Sequence, residues 1–201
     1  MEAYLDNSAT TRVDAQVQEL MKKLMDVDFG NPSSRHQKGV VAEGYIKEAR
    51  QKIAATLKVD PKELIITSGG TESNNMALIG TALAAKRKGN HIITTAVEHP
   101  SVKATASFLE EQGFRITFLS VDSRGQISLE ELKEALTPDT ILVSIMYVNN
   151  EIGTIQPIEE AAKLVHATAL GAVFHVDAIQ AYGKVLIRPK QQGIDLLSVS
   201  S

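Results

Sequence analysis

Leu64-Ile65-Ile66-Thr67-Ser68-Gly69-Gly70-Thr71-Glu72-Ser73-Asn74-Asn75 joins an apolar run to a helix-like segment through two adjacent glycines. The run 64–67 reads as a buried strand, and the residues from Gly70 to about Lys88 as a helix. Glycines let a backbone approach a ligand closely, and a helix N-terminus presents free N–H groups and a partial positive charge. Thr71 adds a hydroxyl, so the junction suits a phosphate. An ordinary tight turn closed by a helix cap fits the loop equally well. The stretch lacks the Gly-Lys-Ser/Thr of a Walker A loop and is not a G-x-G-x-x-G fingerprint.

Outward from this junction the same alternation repeats. Strand-like runs fall at His91–Val97, Arg115–Val121, Ile141–Val148, Ala172–Val176 and Leu196–Val199. A helix is expected from Pro100 to about Gln112. Ser128 and Glu131 have the spacing of a capping box. Pro157 and Gly171 bracket another helix. Upstream, Val13, Val17, Leu20, Met21 and Leu24 recur at helical spacing, as do Ala42, Ile46, Ala49, Ile53 and Leu57, and Asp60-Pro61 breaks the pattern. Near-continuous apolar strands separated by helices define an α/β fold: three layers, with a mostly parallel sheet covered by helices on both faces.

The 201 residues are enough to bury a substantial core. A net charge of −3 gives none of the basic excess of a nucleic-acid binder or a polybasic membrane-surface protein. There are no cysteines, which excludes disulfides and thiolate zinc sites in this chain. No metal-ligand cluster is legible. The apolar runs near Met76–Ala85 and Ile141–Val148 are far shorter than the ~20 residues of a membrane span. No basic leader precedes an apolar stretch, so a cytoplasmic protein is expected.

The residues with chemical potential lie at strand ends, where open α/β sheets bind ligands. Glu98-His99-Pro100 follows one strand, Asn149-Asn150-Glu151 another, and Asp177 closes a third, with Gln180 three residues on. His36, His91, His166 and His175 lie in a loop, strands and a helix, where structural roles are expected. Asp177 follows an apolar run, and a buried carboxylate requires donors or a cation; taken alone, it is equally a cap or a structural ion-pair residue. Together these groups match the parts of pyridoxal 5′-phosphate. The helix N-terminus would take the phosphate, and the His99 imidazole would stack on the ring. The Asn150 and Gln180 amides would bond its phenolic oxygen, and Asp177 would hold the ring N–H, keeping the ring an electron sink.

The ordered set of motifs resembles the cysteine desulfurases of the NifS/IscS group. It comprises Tyr4–Thr11, Asn31-Pro32-Ser33-Ser34-Arg35-His36, Thr67–Asn75, Glu98–Val102, Asn149–Pro157 and His175–Gln180, and it spans Tyr4 to Ser201. The resemblance implies a homodimeric fold-type I enzyme of aminotransferase class V. Such an enzyme would take sulfur from L-cysteine, leaving L-alanine and an enzyme persulfide for iron–sulfur clusters or tRNA thiolation. Its partners would be an iron–sulfur scaffold or another sulfur-acceptor protein, with no direct nucleic-acid contact and no membrane. Carried over by position, Gly70 and Thr71 would bind the phosphate. His99 would stack on the ring and shuttle protons, Asn150 and Gln180 would contact the phenolic oxygen, and Asp177 the ring nitrogen. Ser200 and Ser201 would be further phosphate contacts. Residues 1–12 would belong to the small domain and 13–201 to the large cofactor-binding domain.

The family's cofactor lysine follows the serine segment directly, and its nucleophilic cysteine lies further along. The 201 residues are therefore expected to be an N-terminal half, inactive on its own and truncated before the C-terminal small domain. Another class V activity (a selenocysteine lyase or an aminotransferase) and a non-catalytic scaffold that kept the fold are the alternatives.

Overall fold

The computed structural model describes residues 3–200. Two compact units divide at Ile65 and Ile66. In the first, α1 (Ala15–Asp26) starts at Asp14, whose carboxylate accepts the Gln16 N–H. The second helix, α2 (Gln37–Leu57), begins at His36 and ends at Lys58 in the left-handed region. Asp60 and Glu63 then form a complete capping box around a 3-10 turn at Pro61–Glu63. The apolar stripe expected on the first helix is present but not covered: no residue of α1 is buried. Its ties to α2 are polar, with Lys23 Nζ at 2.9 Å from the Tyr45 hydroxyl, which itself donates to Asp28.

The second unit comprises α3 (Gly70–Ala85), β1 (His91–Thr95), α4 (Pro100–Glu111), β2 (Arg115–Leu119), α5 (Leu129–Ala135), β3 (Thr140–Met146), α6 (Ile158–Thr168), β4 (Val173–Asp177), α7 (Pro189–Gln192) and β5 (Leu196–Ser198). The five strands form one parallel sheet in the order β2-β1-β3-β4-β5. Helices α3 and α4 pack together over one face, and α5 and α6 pack together over the other. Every residue of β1 and β3 is buried, as strands covered on both faces require. Leu78, Ala82, Val102 and Leu109 from the helices meet Ile92, Ile141 and Leu142 of the sheet in the core.

Three local expectations are corrected. Residues 64–67 form no strand, and Ile65 and Ile66 are 72% and 62% exposed. An apolar run becomes a strand only where a neighbouring strand accepts its ladder, and among the described residues none pairs with it. The Ser128 cap forms, its hydroxyl accepting the Glu131 N–H, but Glu131 does not close the box. Its carboxylate instead takes the Ser120 N–H and hydroxyl, securing the turn after β2. Finally, β1 stops at Thr95, and Asp177 is the last residue of β4 rather than the first beyond it.

Candidate active site

The site gathers at the carboxyl ends of β1, β3 and β4 and at the N-terminus of α3. In the strand order, β1 leads outward to β2 while β3 leads the other way to β4. This divergence is a topological switch point, the usual ligand position of such sheets.

Asp177 is 4% exposed. Its Oδ1 accepts the Ile179 N–H at 3.1 Å and its Oδ2 accepts from Asn74 Nδ2 at 2.8 Å. Burial raises its pKa above the ordinary aspartate value, while the Ile179 and Asn74 donors and the nearby His99 oppose that shift. Asn74, in the first turns of α3, is fully buried, and the same Nδ2 also donates to Ser101 Oγ at 3.1 Å. Ser101 in turn meets His99: its N–H donates to His99 Nδ1 at 3.1 Å, and its hydroxyl lies 2.8 Å from that nitrogen. A polar chain Asp177–Asn74–Ser101–His99 thus ties β4, α3 and α4 into one unit. With Nδ1 accepting a backbone N–H, neutral His99 carries its proton on Nε2.

The α3 N-terminus is bare. Gly69, its N-cap, supplies no side-chain cap, so the first-turn amides keep their donor capacity. The Glu72 carboxylate does not fill that role, because it accepts the Ser68 N–H. Ile179, just past Asp177, closes over this end: a Cβ on Gly70 would run into its Cδ1. That contact is with the flexible tip of a side chain, so alanine fits after a small shift, whereas larger residues crowd the cradle. A second polar line braces the same helix from below. Ser73 Oγ bonds Ser198 Oγ at 2.8 Å, and His175 bridges Ser198 and Ser144 across β5, β4 and β3.

Asn150, Gln180 and Ser200 follow the ends of β3, β4 and β5. Asn149 is used by its own turn, its Oδ1 accepting the Glu151 and Ile152 N–H groups, while the neighbouring Asn150 is half-buried. Gln180 is half-buried, and its Oε1 accepts from Lys184 Nζ at 3.0 Å. Ser200 follows β5 and is half-buried; Ser201 lies outside the described residues. Asn74, Ser101 and Glu98 all stand within quoted motifs, yet only their partners reveal what they do. His91 and His175 are strand histidines bonded to Thr and Ser hydroxyls, in the structural roles expected of them.

This donor set fits pyridoxal phosphate. Asp177 is a buried carboxylate held by two neutral donors, and a protonated ring nitrogen would add the cation that favours its charged form. The bare α3 N-terminus with Thr71 suits the phosphate.

The chain matches the aminotransferase class-V family over residues 3–201. It belongs to that family. Within it, the chain is 49% identical to the cysteine desulfurase IscS of Dictyoglomus turgidum, over all of this chain and 50% of the relative. A solved NifS-like protein superposes with a TM-score of 0.97 at 42% identity, covering 100% of this chain and 55% of that one. SspA, solved in complex with cysteine, matches with a TM-score of 0.93 at 40% identity, covering 98% and 56%. The chain spans about half the length of the curated relatives it matches.

Proposed function

We propose that this chain supplies the pyridoxal phosphate site of a cysteine desulfurase, which converts L-cysteine to L-alanine and passes the sulfur on as an enzyme persulfide. The observation that carries the reading is the buried Asp177 carboxylate, bridged by Asn74 and Ser101 to His99 across three elements. Bound pyridoxal phosphate supplies an electron sink for charge developing at the substrate α-carbon. The first-turn amides of α3, from Gly70 and Thr71, take the phosphate, joined by the Thr71 hydroxyl and by Ser200 and Ser201. Asp177 accepts the ring N–H and keeps that nitrogen protonated. Asn150 and Gln180 donate to the phenolic oxygen. His99 stacks on the ring and moves a proton through Nε2, its Nδ1 being held by Ser101.

The same proposal assigns residues 1–12 to a small domain and 13–201 to the large domain. It makes the full-length protein a cytoplasmic homodimer that delivers sulfur to an iron–sulfur scaffold or another acceptor protein. Among the described residues no helix is long and apolar enough to cross a membrane. Residues 1–201 contain no cysteine to carry the persulfide, so this stretch alone does not complete the reaction.

The test is purification of the full-length protein, its visible spectrum, and assay of alanine formed from L-cysteine. Bound pyridoxal phosphate with one alanine per sulfur released is the expected result. A protein that binds no pyridoxal phosphate, or binds it and leaves L-cysteine intact, overturns the proposal.

A further inference from the structure

Glu98 is 3% exposed at the carboxyl end of β1, directly before His99. One carboxyl oxygen, Oε1, accepts from the Thr95 hydroxyl at 2.8 Å and from the Met146 N–H at 2.9 Å. It therefore joins its own turn to the last residue of β3. The other oxygen, Oε2, is buried and has no hydrogen-bond partner among the described residues. A second tie runs parallel: Asn149 Nδ2 donates to the Val97 carbonyl at 2.9 Å. Both ties cross the point where β1 and β3 send the chain in opposite directions.

We propose that Glu98 is a positioning residue that sets where the His99 ring stands, by clamping the 95–99 turn to the end of β3. The proposal rests on the reading of His99 as the residue that meets the cofactor. The clamp needs an acceptor at Oε1 but no charge. Burial pushes the Glu98 pKa up to about 8, with Asp177 on β4 adding to the rise and Lys103 on α4 opposing it alongside the Met146 and Thr95 donors. The residue is thus mostly a neutral acid near pH 7, which spares Asp177 a second buried negative charge. Leaving an O–H unpaired costs far less than leaving a charge unpaired. The amide of glutamine reproduces this neutral form, with a carbonyl able to accept both bonds.

The experiment compares wild type, Glu98→Gln, Glu98→Ala and His99→Ala in the full-length, pyridoxal phosphate-loaded protein. It reads kcat and KM for L-cysteine, the visible circular dichroism of the cofactor, and urea unfolding at about pH 6.5 and pH 8. Glu98→Ala should lower kcat by about 10²-fold, the scale of an ångström misplacement, with KM little changed and the dichroism altered. Glu98→Gln should recover most of that loss and retain the wild-type dichroism. It should also weaken the loss of stability that wild type shows from about pH 6.5 to pH 8, where Glu98 titrates without the buried histidines. The sign follows from a folded pKa above the unfolded one: stability is present below about pH 4.5 and is lost as pH rises through 8.

If His99→Ala keeps wild-type turnover and dichroism, the functional reading itself fails. If His99→Ala loses turnover while Glu98→Ala keeps wild-type kcat and dichroism, only the clamp is overturned. It is likewise overturned if Glu98→Gln falls as low as Glu98→Ala. Should Glu98→Ala not fold, the Gln variant decides: retained dichroism with a flattened pH profile supports the clamp, and an altered dichroism overturns it.

Discussion

Asn74 donates from one buried nitrogen to Asp177 and to Ser101, so the acid and the imidazole are held in register by a neutral amide. That arrangement gives Asp177 its geometry without supplying a countercharge, and the cofactor nitrogen would provide one. Asp177→Asn keeps the shape and still accepts from Asn74, yet offers no charge to hold a proton on the ring. We expect kcat to fall on the order of 10²-fold or more in the full-length protein, with pyridoxal phosphate still bound through the α3 cradle. Steady-state kinetics beside the visible spectrum check this; near-normal turnover would make Asp177 a structural carboxylate. Asp177 and His99 were legible as residues because strand ends mark ligand positions in such folds. Asn74 and Glu98 were not, since their partners lie 103 and 48 residues away and no local pattern encodes those pairs.

At the level of elements, burial on both sides decides cost. Leu142, in the middle strand β3, is completely buried between the helical layers. Leu142→Ala should destabilise by about 2–5 kcal/mol, combining lost transfer energy with a residual cavity. Ser128→Ala removes one cap from the seven-residue α5 and should cost about 1 kcal/mol, measurable by urea unfolding. Equal effects from the two would contradict the placement of β3 at the centre of the sheet. Helices and buried strands were readable because period and apolar continuity are local. The run 64–67 has that continuity too, but a strand needs a partner, and partnership is not a property of one segment. Glu131 shows the same limit: its spacing to Ser128 is local, while Ser120 competes for its carboxylate from across a turn.

For the molecule as a whole, buried titratable groups set how stability depends on pH. Burial pushes His91 down to about 4 and His175 down to about 3. Their folded pKa values lie below the unfolded value of ~6.5, so both contributions are lost as pH falls below that point. Glu98, pushed up to about 8, acts in the opposite direction, and Asp177 is raised as well. The two histidines outweigh Glu98 between about pH 4.5 and 6.5, with Asp177 offsetting part of that gain at the acid end, and Glu98 acts without the histidines above that range. Stability should therefore peak near pH ~6.5 and decline on both sides. Urea midpoints between pH 4 and pH 9 check this, and a plateau rising steadily to pH 9 would contradict it.

The amino-acid order by itself determined the alternation of helices and buried strands, the parallel α/β class, and the strand-end positions of His99 and Asp177. Each follows from short-range periodicity or from what must stand beside a strand terminus. Only the tertiary structure decided that one asparagine links Asp177 to Ser101 and His99, that Glu98 reaches the backbone of β3, and that Ile179 closes over Gly70. These contacts join residues distant in sequence. They exist because packing five strands between two helical layers brings their carboxyl ends together, where buried polar groups must find partners in one another.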